Sequence, residues 1–277
     1  MNTKIIRTIS EMRKISSNWP TSVGFVPTMG FLHEGHLSLI KTAQKDNETT
    51  VVSIYVNPAQ FGPQEDLSDY PRDLKKDIEL LAELNVGYVF LPDDGEMYPK
   101  NFKTWIQVED ITEIMCGIAR PTHFKGVTTI VNKLLNIVRP DTIYLGEKDF
   151  QQLIVLKTMV RDLNMPCEVK GCPIVRESDG LAMSSRNIYL KGEDRDKALC
   201  LYKSLLLAQK LFSEGVQDLE LIRSQMEDII IQNDGVIDYI AFIDAESLKV
   251  VDELHKGCRI ALAVKISGTR LIDNLQI

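Results

Sequence analysis

Two histidines three residues apart, His33 and His36, carry the strongest chemical signal in the chain. They close the segment Pro27-Thr28-Met29-Gly30-Phe31-Leu32-His33-Glu34-Gly35-His36, which follows the apolar run Val23 to Val26. A strand that ends in a glycine-bearing turn and feeds a helix directs free backbone N–H groups and the positive end of the helix dipole at one point, which suits phosphate. Two imidazoles in that first turn can donate hydrogen bonds to charge that moves as a phosphate bond breaks. An ordinary strand-to-helix turn explains the glycines alone, but only four histidines occur in all, at 33, 36, 123 and 255. Zinc is the rival chemistry. The metalloprotease pattern His-Glu-x-x-His spaces its histidines four apart, and this pair is one residue short with no third ligand nearby.

Other polar segments fall where strands are expected to end. Asn57-Pro58-Ala59-Gln60-Phe61 follows the β-branched run Thr50 to Val56, so Asn57 and Gln60 can offer amides to a small hydroxy acid; the bland reading is an Asn-Pro turn. Gly146-Glu147-Lys148-Asp149-Phe150-Gln151-Gln152 follows Thr142 to Leu145. Asp149 is a plausible helix cap or magnesium partner, whereas a cation such as Lys148 at a helix N-terminus is unfavourable unless an anion binds there. Ala182-Met183-Ser184-Ser185-Arg186-Asn187 has the small-residue character of a loop that closes over phosphates, or of a linker. Arg120 to Gly126 brings His123 beside two basic groups and reads equally as a basic loop with one packed ring.

The elements that must position these groups alternate. Strands are expected at Lys4 to Ile6, Val23 to Val26, Thr50 to Val56, Tyr88 to Leu91, Thr142 to Leu145 and Glu168 to Val175. Helices are expected at Gly35 to Gln44, Asp73 to Leu84, Val127 to Val138 and Gln151 to Leu163, with a further one opened by the capping pattern Thr8-x-x-Glu11. This is the rhythm of a parallel sheet covered by helices, in which ligands bind outside the carboxyl edge. After Arg186 two successive helices, Glu193 to Gly215 and Leu219 to Gln232, precede strands at Val236 to Ile243, Arg259 to Val264 and Thr269 to Leu275. We therefore expect an α/β domain over residues 1–178 and a smaller α+β domain over 179–277.

Composition narrows the class. The 277 residues are 44% hydrophobic, enough for a substantial core, and the net charge of −7 argues against a nucleic-acid binder. Five cysteines without a Cys-x-x-Cys pair fit reduced thiols in a cytoplasmic protein. No apolar run approaches the ~20 residues that cross a bilayer, and the first residues lack a signal peptide's apolar stretch, so neither membrane nor export is expected.

Taken together, the segments Pro27 to His36, Asn57 to Phe61, Gly146 to Gln152 and Met183 to Arg186 closely resemble the pantoate-β-alanine ligase (pantothenate synthetase) family, in the same order over essentially the whole chain. The resemblance implies a Rossmann-like fold related to class I aminoacyl-tRNA synthetases and other nucleotidylyl transferases, a smaller C-terminal domain and a homodimer. It implies ATP and Mg2+, with pantoate and β-alanine as the small-molecule substrates joined through a pantoyl adenylate. ATP would be held by Met29, Gly30, Phe31, Leu32, His33, Glu34, Gly35 and His36, then by Gly146, Glu147, Lys148, Asp149, Val175, Met183, Ser184, Ser185 and Arg186. His36 is expected as proton donor with His33 assisting, and Lys148 and Arg186 as partners of the moving charge. Gln60 and Gln152, with Asn57, would bind substrate. Asp77 and Asp149 are the expected magnesium ligands. Thr122 and Lys125 depart from the family's usual glycine and arginine, so the Arg120 to Gly126 loop is assigned no catalytic role. Two other readings stay open: a nucleotidylyl transferase that stops after nucleotide transfer, and a noncatalytic ATP sensor.

Overall fold

A computed structural model describes residues 3–63 and 65–277. Its first sheet has six parallel strands: β1 (Lys4–Ile6), β2 (Val23–Thr28), β3 (Thr49–Ile54), β4 (Tyr88–Phe90), β5 (Thr142–Gly146) and β6 (Glu168–Cys172), ordered β1-β4-β3-β2-β5-β6. A parallel sheet covered on both faces buries consecutive residues, which is why Val23, Phe25, Val26, Val51 and Val52 are all fully buried. Each contributes about 1.5–3 kcal/mol relative to an exposed side chain.

Strand order reverses between β2 and β5. These two strands pair only at Gly24↔Thr142 and Phe25↔Ile143, whereas β5 stays paired with β6 as far as Gly146↔Cys172. Beyond Phe25 they part, and the gap at their carboxyl ends is the switch-point crevice where open α/β sheets take ligands.

The covering helices are α1 (Ile9–Ser16), α2 (Glu34–Asp46), α3 (Leu74–Glu83), α4 (Asp94–Met97), α5 (Cys116–Ala119), α6 (His123–Val138) and α7 (Phe150–Asp162). α4 and α5 are single-turn helices absent from the sequence expectation, and α6 begins four residues earlier than expected, so that His123 is helical and buried. The expected helix Glu193 to Gly215 is two, α8 (Glu193–Ala198) and α9 (Cys200–Ser213), parted at Leu199; α10 (Leu219–Ile231) follows.

Strands β7 (Val236–Ile243), β8 (Arg259–Ile266) and β9 (Thr269–Gln276) form a second, antiparallel sheet. Its helix-covered face joins Phe242, Ile260 and Leu262 to Leu205 and Met226, while Ile243 and Ala261 pack into the core of the first sheet. Polar ties finish the junction. Asn274 Nδ2 donates to the carbonyls of Glu147 and Lys148 at 2.9 and 3.0 Å, Arg259 reaches Glu147 at 3.1 Å, and Arg176 Nη1 meets Asp273 at 2.6 Å. The turn that carries Lys148 is thus clamped from the C-terminal sheet.

Candidate active site

The histidine pair builds its own cap. His33 is the N-cap of α2, and its Nδ1 accepts from Gly35 N–H at 3.2 Å; Nδ1 of His36 accepts from His33 N–H at 3.3 Å. This is a capping box with imidazoles in place of the usual hydroxyl and carboxylate. A Cβ on Gly35 would lie 2.9 Å from the His33 ring, so glycine is what lets that ring fold over the first turn. With both Nδ1 atoms accepting, each neutral ring carries its proton on Nε2. Burial, reinforced by Lys148, pushes His33 down to about 4, and burial with His33 and Lys148 pushes His36 down to about 3. Both rings are neutral at pH 7.

Asp77 lies at the other end of the same turn. Its carboxylate is buried and accepts from Phe31 N–H at 2.8 Å and Leu32 N–H at 2.7 Å. Gly30 and Phe31 both have positive φ, at 82° and 52°, so the loop takes a backbone course that side-chain-bearing residues rarely adopt, and the two charge-assisted bonds hold it there. Asp77, expected as a metal ligand, has both carboxylate oxygens engaged in anchoring the loop and is not among the residues that border the crevice. Leu32 is buried in the core, and Glu34 turns outward to Lys41 at 3.8 Å, so neither side chain faces the crevice.

Across the gap, the short turn Glu147–Asp149 leads from β5 into α7. Glu147 is drawn off by Arg259, but Lys148, Asp149 and Gln152 border the crevice. Lys148 is mostly buried and lies 3.9 Å from Asp149, which is half exposed. The amide of Gln152 has no protein hydrogen-bond partner among the described residues.

Asn57 and Gln60 follow β3 as expected, with different tasks. Asn57 is buried; its Nδ2 donates to Gln60 Oε1 and to Gly126 C=O, both at 3.2 Å, and its Oδ1 accepts from Tyr98 OH at 2.8 Å. Expected as a substrate amide, Asn57 borders the crevice and here braces Gln60, whose Nε2 is directed to Met29 Sδ at 2.9 Å. The sequence reading set aside the residues that hold this turn from the far side. His123 Nδ1 contacts Gln60 C=O at 2.9 Å, and Arg120 reaches the same oxygen at 3.3 Å while its Nε donates to Glu65 at 2.9 Å. The only sequence signal was a histidine between basic groups just ahead of an apolar helix.

The segment Met183 to Arg186 borders the same crevice. Ser184 caps the short turn Ser185–Tyr189 through Arg186 N–H at 3.3 Å, and Arg186 pairs with both oxygens of Asp66 at 2.9 and 2.8 Å. The crevice, about 250 Å3, is bordered by Met29, His33, His36, Gln60, Lys148 and Arg186 together. It adjoins a larger cavity of about 660 Å3 that runs toward β7 and β9 and shares Lys148, Asp149, Gln152, Ser184 and Arg186 with it. Val175 and Ser185 also border the smaller space. Segments separated by some 150 residues thus converge, and their donors surround a volume of substrate size.

Comparison with known proteins decides the family. The pantoate-beta-alanine ligase family matches residues 4–276. The chain belongs to this family. Among pantoate-β-alanine ligases, it is 51% identical to the pantothenate synthetase of Thermosipho africanus, over 99% of this chain and 100% of that protein, and 51% identical to that of Acetivibrio thermocellus over 98% of each. The crystal structure of pantothenate synthetase from Thermus thermophilus superposes with a TM-score of 0.95 at 44% identity, covering 99% of both chains. The ligase from Francisella tularensis, complexed with beta-gamma ATP and beta-alanine, superposes at 0.83 with 36% identity, covering 99% of this chain and 97% of that one. The six-stranded parallel sheet with its small antiparallel companion is therefore the architecture of pantoate-β-alanine ligases.

Proposed function

We propose that this protein condenses (R)-pantoate with β-alanine at the expense of ATP, giving pantothenate, AMP and pyrophosphate through a pantoyl adenylate. One observation carries the assignment of the site: His33, His36, Lys148 and Arg186 border a single crevice with Gln60 and Gln152.

A carboxylate is a poor acyl donor because oxide leaves badly. In the first step a pantoate carboxylate oxygen attacks the α-phosphorus of ATP and the bond to pyrophosphate breaks. The nitrogen of β-alanine then attacks the acyl carbon, loses a proton and displaces AMP. The protein's work is alignment and neutralisation of charge. Lys148 and Arg186 face the growing negative charge, and the Nε2–H groups of His33 and His36 donate to phosphate oxygens. Because both rings are neutral, a hydrogen bond suits them better than the proton donation expected of His36. The amides of Gln60 and Gln152 hold pantoate, and Gln60 also orients β-alanine. The backbone of Met29 to Gly35, with Gly146, Val175 and the serines of Met183 to Ser185, completes the ATP site.

Magnesium fits as a shared ligand. No group of three His, Cys, Asp or Glu side chains among the described residues forms a metal cage, and Mg2+ commonly takes one or two carboxylates with phosphates and water. Asp149 would hold it, and the ion would supply neutralisation of the triphosphate.

Incubation with ATP and pantoate tests the reading. Pyrophosphate release with a retained adenylate, followed by AMP only when β-alanine is added, supports it. Pyrophosphate release that needs no pantoate would point to a nucleotidylyl transferase, and ATP affinity without turnover to a sensor.

The division near residue 178 is part of this proposal, supported by the change from a parallel to an antiparallel sheet and by a second core formed beyond it, although Ile243 and Ala261 join the core of the first sheet. So are a cytoplasmic location, supported by five unpaired cysteines, and a homodimer, inferred from the family resemblance and testable by light scattering. No helix among the described residues is long and apolar enough to cross a membrane.

A further inference from the structure

Glu65 and Asp66 are consecutive, and each engages the fork of a different arginine. Glu65 takes Arg120 through Nε at 2.9 Å and through Nη2, whereas Asp66 takes Arg186 through Nε at 2.9 Å and Nη2 at 2.8 Å. The two arginines come from segments 66 residues apart in the chain (186 − 120), and both border the crevice. Asp66 borders only the larger cavity. It thus meets Arg186 from outside the smaller crevice that His33 and His36 border.

Arginine presents five N–H donors in a rigid plane. Capture of the Nε and Nη2 edge by a carboxylate fixes that plane and leaves Nη1, which has no protein acceptor among the described residues. The strap that carries Asp66 is held from another element, because Arg120 donates to neighbouring Glu65 at 2.9 Å and to Gln60 C=O at 3.3 Å; Tyr189 OH, on the turn of Arg186, also donates to Asp69 C=O at 2.8 Å.

We propose that Asp66 is a positioning residue for the adenylation step: it sets the orientation of Arg186 so that the uncommitted edge of the guanidinium meets phosphate as negative charge moves. This rests on the role given above to Arg186. A carboxylate in the place of an incoming phosphate would instead be a competitor, and the two arrangements predict opposite kinetics.

The full chain, assayed for pantoate-dependent exchange of pyrophosphate into ATP, separates them. Asp66→Ala should slow exchange by about tenfold to a hundredfold, the scale expected when a charged group loses its alignment, with the KM for ATP changed by less than about threefold. Asp66→Asn keeps one acceptor and should lie between; being isosteric, it also serves if the alanine variant folds poorly. In an Arg186→Ala background, Asp66→Ala should cost nothing more, because the residue acts only through Arg186. Unchanged or faster exchange with a lower KM for ATP in Asp66→Ala would overturn the proposal, as would a double variant whose loss is the product of the two single losses. An Arg186→Ala variant with full exchange would instead remove the role of Arg186, a failure visible before Asp66 is touched.

Discussion

The rings of His33 and His36 lie 4.1 Å apart centre to centre, tilted by 40°, and the backbone N–H of the first donates to Nδ1 of the second. Each ring is therefore both helix cap and site donor, with one nitrogen spent on each task. Nitrogen-detected NMR of the imidazoles should find both in the Nε2–H tautomer at pH 7 and both still unprotonated at pH 5, since burial holds them at about 4 and about 3. A ring that charges near pH 6.5 would contradict the capping geometry.

The dual task of His36 also sets the cost of losing it. His36→Ala should leave ATP affinity within a few-fold of the parent and lower turnover by roughly two to three powers of ten, the range for removing one transition-state donor. It also orphans His33 N–H, which costs about 1 kcal/mol of stability. His36→Gln, whose amide N–H can take the place of Nε2–H, should recover part of the turnover without restoring the cap. Equal turnover in parent and alanine variant, measured at saturating substrates, would take His36 out of the mechanism.

What could be read from the chain in advance was local. Apolar or extended runs marked the strands of the described residues, and the glycine-histidine turn after β2 and the Lys148 turn after β5 announced themselves because strand, turn and helix are adjacent in sequence. What could not be read was the set of side chains that hold these groups from a distance. Asp77 reaches Phe31 across 46 residues, His123 reaches Gln60 across 63, and Asp66 reaches Arg186 across 120. Nothing in the local pattern of an acidic helix turn distinguishes a carboxylate that faces a metal from one that faces two amides. Asn57 shows the same limit: an amide near a strand end signals polarity, and its bonds to Tyr98 and Gly126 could not be read from that signal.

Acid should destabilise the protein through its buried histidines. Burial, with Arg120 alongside, pushes His123 down to about 4, close to the value for His33. In the unfolded chain each ring charges near 6.5, so between that pH and about 4 the unfolded state binds more protons and stability falls as pH falls. At about 1.4 kcal/mol per unit, buried His123 alone accounts for about 3 kcal/mol across this window. Guanidinium unfolding at pH 7.5, 6 and 4.5 should show a progressive loss that His123→Gln reduces. A stability that is flat from pH 7 to 4.5 would mean that the ring is not buried in its neutral form.

Asp77 offers a sharp contrast between anchor and metal ligand. Asp77→Asn replaces one acceptor by an NH2 group facing a backbone N–H, so the loop at Phe31 and Leu32 loses a charge-assisted bond and gains a clash of donors. We expect about 2–3 kcal/mol of destabilisation and a raised KM for ATP. The Mg2+ concentration that gives half-maximal activity should stay unchanged. The same titration on Asp149→Asn should move to higher Mg2+. Were the two variants to exchange these behaviours, the anchor reading of Asp77 would be wrong.

Gly126 is where α6 meets the turn that carries Gln60, and its missing side chain sets how close they come. A Cβ there would stand 2.3 Å from Ala59 C=O and 2.6 Å from Gln60 N, and both obstacles are backbone. Gly126→Ala must therefore push the helix and the turn apart, at a cost of about 1–3 kcal/mol from overpacking. The displacement also loosens the bond from Asn57 to Gly126 C=O and the contact of His123 with Gln60 C=O, the two supports that set the Gln60 amide. Because a shift of about 1 Å at a positioning group can cost up to a hundredfold, the KM for pantoate should rise by at least about tenfold while the KM for ATP changes little. Calorimetric titration with each substrate separates the two constants. If ATP and pantoate weaken in parallel, the damage is general, and Gln60 is not the group that this helix holds in place.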